Sequence, residues 1–533
     1  MKKETGLVWK YLEGANGIIL ILYSIFIFST YAFVATEKIS DWIKWTILII
    51  ILSIIICPLI LKLVKKIRIR QPQEEGKTKH RILWLLLFFF IPLILLLAKY
   101  IIYYPTAFSP DSIEQYRQVL TGSYNDWHPV IQTLFFIKLP LLLTGGWIGS
   151  ITLFQIIVFS AILAYALYTI RKQTNILYSI LAMLFILLNP QTTNMAMYPW
   201  KDVAFAMGAL LLATYALRIY FTSGEWIKRP LNIIAFILSI ALTTLMRHNA
   251  LLFTIPFFVA VFFLINKKRS LVILGCAVIV IVAIKIPLYS ALHVEKSEDR
   301  QIETLGLPMN IIGSVTTYAP EDLDEETRTF VYQVASEEVW REQYTYGDYN
   351  SVKWDARTNN DIIEEYGTGK VLSMAINCIK DSPSASLKGL IHLTDAVYTV
   401  CDNYRYYDLP MIFENDYGIT QQGIPKLQGL NEKMTYRIYK GLPWIFMYLG
   451  SMHLVLLVSV LAKCGLNKWN DWKKILLILP VFLYNFGTAL LLTSANDSSR
   501  FFYYTFLILP TLLVFLYKND DERSPENAIR KTS

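Results

Sequence analysis

Long, continuously apolar stretches divided by short polar loops run along most of the chain, and this pattern decides the fold class before any single residue does. Gly17–Thr36, Trp45–Val64, Ile82–Ile102, Gly149–Ile170, Val203–Tyr220 and Leu271–Tyr289 each approach the roughly 20 residues a helix needs to cross a hydrocarbon core. Their apolar positions show no period of two, which predicts helices and excludes the alternating strands of a membrane barrel. Further stretches of the same kind lie at Ile176–Pro190, Leu231–Met246, Ala250–Ile265, Trp444–Leu461, Ile475–Thr493 and Phe501–Tyr517. The expectation is an all-α polytopic membrane protein with about 12 transmembrane helices. Lys2, Lys3 and Lys10 precede the first stretch as they would a secretory leader, but its length and the lack of a small-residue exit make it a retained span.

Charge adds orientation. The composition is 54% hydrophobic and 17% charged, with a net charge of +9. The basic residues fall in few loops: Lys65, Lys66, Arg68, Arg70, Lys77, Lys79 and Arg81; Arg218, Lys228 and Arg229; Lys267, Lys268 and Arg269; Lys463, Lys468, Lys473 and Lys474. Under the positive-inside rule these loops and both termini are cytoplasmic, so basicity encodes topology and not a nucleic-acid partner. The apolar stretch Val130–Leu143 is short and ends at Gly145-Gly146. Were it to cross, every later basic loop would turn outward, so it is expected to be a juxtamembrane or re-entrant helix on the outer side.

Four regions follow: a transmembrane region, 1–290, carrying a first outer loop, 103–148; an acidic extracytoplasmic domain, 291–440; C-terminal transmembrane helices, 441–517; and a cytoplasmic tail, 518–533. The 291–440 segment is expected to be mixed α or α/β, with helical patterning at Leu323–Glu338, Val371–Ile379 and Ser386–Val400. Its aromatic run Tyr344–Asn350 fits stacking on sugars, or simply a domain resting on the interfacial aromatic belt. Cys378 and Cys401 share this segment, either as a disulfide in an oxidising compartment or as two small buried side chains.

On this topology five polar motifs reach the outer surface: Ser109-Pro110-Asp111, Asn125-Asp126-Trp127-His128-Pro129, Trp200-Lys201-Asp202, Arg247-His248-Asn249 and Asn496-Asp497-Ser498-Ser499-Arg500. Sites between bundle helices are commonly assembled from such separate loops. Asp111 opens a helix, where it either caps the first turn or, partly desolvated, accepts a proton from an attacking hydroxyl. His128 beside Asp126 either orients an acceptor or only anchors the following helix through Pro129. Lys201, Arg247 and Arg500 either snorkel to headgroups or clamp a lipid-linked phosphate. A divalent metal held by Asp111, Asp126, His128 and Asp202 has no ligand spacing in its favour, and no cofactor is otherwise called for.

Together these motifs resemble the GT-C superfamily of membrane glycosyltransferases: an isolated Asp in the first long outer loop, a His-Pro leading into an apolar helix, a Lys-Asp before a span, an Arg-x-Asn between spans and an Arg-aromatic cluster at the last span. Bacterial members without assigned substrates are most similar, with protein O-mannosyltransferases and aminoarabinose transferases more distant. The resemblance implies a bundle of the GT-C kind and an enzyme that moves a sugar from a polyprenyl-phosphate donor to a cell-envelope glycan, lipid or protein acceptor. It implies Asp111 as catalytic base, Arg247, Arg500 and Lys201 on the donor phosphate, and Asp126, His128, Asp202 and Tyr503 lining the site. Two departures stand out: two spans precede the usual first one, and Ser112 follows Asp111 where many members carry a second acid, which leaves Asp126 and Asp202 as rival bases. Outside this class stand a flippase or transporter for lipid-linked sugars and a polysaccharide polymerase or ligase. The absence of a P-loop or a Rossmann glycine fingerprint suits a reaction without nucleotide.

Overall fold

The computed structural model describes residues 14–36, 38–66, 80–296, 300–398, 400, 409–440, 448–464, 473–494 and 498–514. Within them the chain is all-α; no strand occurs, only isolated bridges. The α/β alternative for the 291–440 segment is thereby corrected, since its described residues build helices around their own apolar core of Trp340, Tyr344, Tyr349, Val352, Ile363, Val371 and Met374.

Six helices are long and apolar enough to cross a membrane: Ala15–Ala35, Ile39–Lys65, Arg81–Ile102, Gly149–Gln173, Lys201–Phe221 and Lys267–Ala291. Shorter apolar helices include Ile176–Leu188, Pro230–Leu245, His248–Phe262 and Leu449–Lys463. Lys201–Phe221 is the most enclosed of the long helices and Lys267–Ala291 the least. The latter turns Leu271, Val272, Ile279 and Ile286 outward, as a helix does whose solvent on that side is lipid.

Two ends of the bundle are chemically distinct. Tyr100 donates a hydrogen bond to the Gly149 carbonyl at 3.1 Å, and Arg171 lies 4.4 Å over the Trp84 ring, so Arg81–Ile102 and Gly149–Gln173 are antiparallel. Arg81, Arg171 and Lys172 belong to the second of these ends. The stretch between the two helices returns to the end it left. Trp200 donates to Ser109 Oγ at 2.6 Å, and Trp147 donates to the Tyr104 hydroxyl at 3.1 Å. Val130–Leu143 thus begins and finishes at one end. At about 1.5 Å per residue its 14 residues reach only about two-thirds of a hydrocarbon core. It is also broken, with a π turn at Leu134–Lys138. Pro140 accounts for the break: it brings no N–H, and its ring crowds the carbonyl four residues back, at Phe136.

The polar segment straps over this same end. The Leu409 carbonyl accepts from the Tyr198 hydroxyl at 2.7 Å, Phe108 pairs in parallel with Ile412, and Asn125 pairs with Glu295. Asn310 donates to the Thr493 carbonyl at 2.9 Å. Gly423 permits one close approach, because a Cβ there would overlap the Ile102 carbonyl oxygen.

Several expected boundaries move. The Leu323–Glu338 helix is two helices, Glu325–Val334 and Glu337–Gln343, because Ala335 is extended and Ser336 caps the second through Val339 N–H. Val371–Ile379 is the second half of Asp361–Asp381, which is interrupted at Gly367 with φ 76°. Ser386–Val400 is Pro383–Thr394 followed by a 3₁₀ turn. Cys378 is buried, and Cys401 lies outside the described residues.

Candidate functional site

The helix Pro110–Thr121 starts as its sequence dictates, with proline at the first position and a hydroxyl before it. The cap is Ser109, whose Oγ accepts from Ser112 N–H at 3.4 Å. Asp111 is therefore released from the capping role. It stands one residue inside the helix, at the positive end of the helix dipole.

Two cations meet its carboxylate. Arg500 Nη1 donates to Asp111 Oδ2 at 2.9 Å, and Lys201 Nζ stands 4.0 Å from the same oxygen. Lys201 also lies 2.9 Å from His128 Nδ1. An ammonium can only donate, so Nδ1 accepts and the ring proton resides on Nε2. Burial alone would raise the Asp111 carboxyl, yet Arg500 and Lys201 together hold it well below the usual carboxylate range. His128 is almost fully buried, and burial with the neighbouring Lys201 pushes it well below its ordinary value, against the pull of Asp111. The site thus presents an ionised acid between two cations, with a neutral imidazole behind one of them.

Asp202 and Arg247 form a second ion pair beside the first. Their side chains are 1% and 5% exposed, against 19% and 20% for Lys201 and Arg500, so this pair is out of reach of a ligand that the other two cations can meet. The Arg247 guanidinium lies 4.6 Å from the Phe501 ring centroid and 5.8 Å from that of Tyr484. Arg500 lies 5.0 Å from the same Phe501 ring centroid and 5.4 Å from that of Trp200. Asp202 is thus held against Arg247, with almost no exposure.

Asp126 gathers a third cluster. Tyr289 donates to its Oδ1 at 2.6 Å, Lys285 stands 3.9 Å from Oδ2, and His248 Nε2 lies 3.1 Å from its backbone carbonyl. The Trp127 ring lies 5.8 Å from the buried Lys353 ammonium, which pairs with Glu303.

Of the residues singled out by sequence, Asp111, His128, Lys201 and Arg500 meet directly, Asp202 and Arg247 pair behind them, and Asp126 sits in its own cluster with His248. Tyr503 does not join them. It is fully buried in the apolar core, and its hydroxyl bonds to nothing among the described residues. Asn496 and Asp497 lie outside the described residues. Sequence reasoning missed Trp200 and Phe501 as the aromatic bed of the guanidinium groups, although each directly adjoins a cation that was singled out. It also missed Lys285 and Tyr289 on Asp126, for which a cation and a phenol four residues apart on one helix face were the available signal. Among the described residues no three of His, Cys, Asp and Glu are grouped as metal ligands would be.

Comparisons of the chain with protein-family models, curated proteins and solved structures return no match.

Proposed function

We propose that this protein is a membrane glycosyltransferase of the GT-C kind, transferring a sugar from a polyprenyl-phosphate donor to an acceptor hydroxyl on the outer side of the cell membrane. The observation that carries the reading is the convergence of Asp111, Lys201 and Arg500, drawn from three distant parts of the chain, at the end of the bundle away from Arg81, Arg171 and Lys172. Under the positive-inside rule that basic end is cytoplasmic, and counting the shorter apolar helices as spans gives about 12 crossings with Val130–Leu143 held on the outer side. The helical segment over the site is then an extracytoplasmic domain.

The reaction is an inverting single displacement. The donor phosphate seats on Arg500 and Lys201, taking the place that the Asp111 carboxylate occupies without ligand. Losing its cationic partners, Asp111 regains basicity and accepts the proton of the acceptor hydroxyl. The acceptor oxygen forms its bond to the anomeric carbon as the carbon–oxygen bond to phosphate breaks, and polyprenyl phosphate leaves with the electron pair. Its charge is met by cations already in place, which is where such a site gains most. Arg247, expected on the phosphate, is assigned away from it because Asp202 neutralises it in a buried position.

Purified protein in detergent, given a polyprenyl-phosphate sugar and an acceptor extract, is expected to yield a product heavier by one sugar in mass spectrometry. A flippase yields no product, and a polymerase or ligase adds a block of sugars. Either result overturns the assignment, as does native-rate transfer by folded Asp111→Asn.

A further inference from the structure

We infer that the buried Asp202–Arg247 pair is a positioning device that sets Lys201 and Arg500 on either side of Asp111. The inference rests on the reading that these three form the reacting site. Asp202 directly follows Lys201 in the first turn of Lys201–Phe221. Arg247 comes from the turn between Pro230–Leu245 and the helix that starts at Leu251. Its guanidinium pairs with Asp202 and lies 4.6 Å from the Phe501 ring, and Phe501 directly follows Arg500. Arg500 in turn lies 5.0 Å from that same ring centroid, so one ring meets both guanidinium groups.

A closed chain of constraints results. It runs from Lys201 through Asp202, Arg247 and Phe501 to Arg500, and both ends meet at one carboxylate oxygen of Asp111. The loop closes a second time through Trp200, which lies 5.4 Å under Arg500 and bonds Ser109, the cap of the helix that carries Asp111. Arg247 meets the chain neighbours of both cations, Asp202 beside Lys201 and Phe501 beside Arg500. A guanidinium suits this, because one group can meet a carboxylate and an aromatic ring at once. Stability alone would ask for less, since buried ion pairs are commonly replaceable by apolar pairs of similar volume without loss.

The test uses the full-length protein in detergent and three variants: Arg247→Lys, Arg500→Lys and the apolar double Asp202→Leu with Arg247→Met. The double is expected to melt close to wild type while kcat falls about tenfold or more, as loss of a geometric lock predicts. KM for the donor should rise as well, because Lys201 and Arg500 hold its phosphate. The groups facing Asp111 are Arg500, Lys201 and His128. With the first two loosened, the acidic limb of the rate profile is expected to move to higher pH in the double. Arg247→Lys keeps the ion pair without the flat stack, so its rate should fall between the two. Wild-type kcat and pH profile in the double overturn the inference. So does a loss of affinity for a short prenyl monophosphate in Arg247→Lys as large as in Arg500→Lys, which would put Arg247 on the ligand.

If wild type forms no product, the enzyme reading fails, and positioning is read from the melting shift caused by the same prenyl monophosphate. That shift lost in the double and kept in Arg247→Lys supports the lock, while a shift kept in the double overturns it. Should the apolar double not fold, Asp202→Asn with Arg247→Gln removes the same charges while keeping polar side chains and is judged by the same readouts.

Discussion

Replacing Asp111 by asparagine should abolish transfer and, in the same protein, tighten the binding of a prenyl monophosphate. The second effect follows because the unliganded site is already filled by an anion of its own. Arg500 donates to Asp111 at 2.9 Å, and Lys201 stands 4.0 Å away, so an incoming phosphate must first displace the carboxylate. The gross attraction across 2.9 Å is about 6 kcal/mol at an effective dielectric of about 20. Most of it does not survive as net competition. A quarter of the Asp111 side chain and a fifth of that of Arg500 remain exposed, and an asparagine carbonyl still accepts from Arg500. Hydrogen bonds to charged groups contribute about 1.5–3 kcal/mol net, and discounting for exposure leaves about 1–2 kcal/mol. The affinity gain is then roughly 5- to 30-fold.

Calorimetric titration of detergent-purified protein with a short prenyl monophosphate near neutral pH measures it directly. Asp111 is held below the usual carboxylate range, so it stays ionised and competing throughout the titration. Equal or weaker binding by the asparagine variant would refute the displacement step, even if transfer were lost.

Other consequences can be measured separately. Arg500→Ala should weaken prenyl-phosphate binding by about tenfold or more and Arg500→Lys by less, because lysine keeps the charge without the fork of donors, which titration of both variants checks. Trp200→Phe removes the bond to Ser109 and should lower kcat with little effect on donor KM, as steady-state kinetics would reveal. His128 is depressed in the folded protein, so below about 6.5 the unfolded chain binds a proton there that the folded chain does not. Its contribution to stability is present above that pH and is lost as pH falls, and His128→Gln should flatten the melting temperature between pH 7 and 5. Gly347 has φ 78°, and a Cβ there would strike the His392 backbone, so Gly347→Ala should destabilise the helical segment over the site by about 1 kcal/mol or more, seen as a lower melting temperature.

Apolar runs foretold the helices closely, because hydrocarbon-matched length and continuous hydrophobicity are properties of one segment and need no partner. Arg81–Ile102 and Lys201–Phe221 fall within two residues of the expected spans. Partners were the illegible part. Asp111 is 389 residues from Arg500, and no local pattern tells which of several cations it meets. The same limit hid the pairing of Asp202 with Arg247, and with it the distinction between a cation that a ligand can touch and one that the protein has neutralised. Within the 291–440 segment the break at Ala335 was legible in principle, since Ser336 followed by Glu337 and Glu338 is a helix start. It was hidden by the apolar period continuing across it. Ser109 likewise stood in plain view two residues before Asp111, and the cap was attributed to the wrong member of the motif.

One element ties topology to chemistry. If Val130–Leu143 crossed the bundle, Asp111 would lie at the end opposite to Lys201 and Arg500, and none of their contacts could form. The contacts on either side of it prevent this: Trp200 bonds Ser109 before it, and Trp147 after it bonds Tyr104, beside the end where Arg81–Ile102 finishes. The same short helix carries Gln132, which accepts from Gln115 of the Pro110–Thr121 helix and donates to the Pro199 carbonyl at 2.8 Å, just before Lys201. A segment that starts and finishes at one end of the bundle thus binds the Asp111 helix to the start of the Lys201 helix. Its side chains hold an acid and the cations that restrain it at that same end.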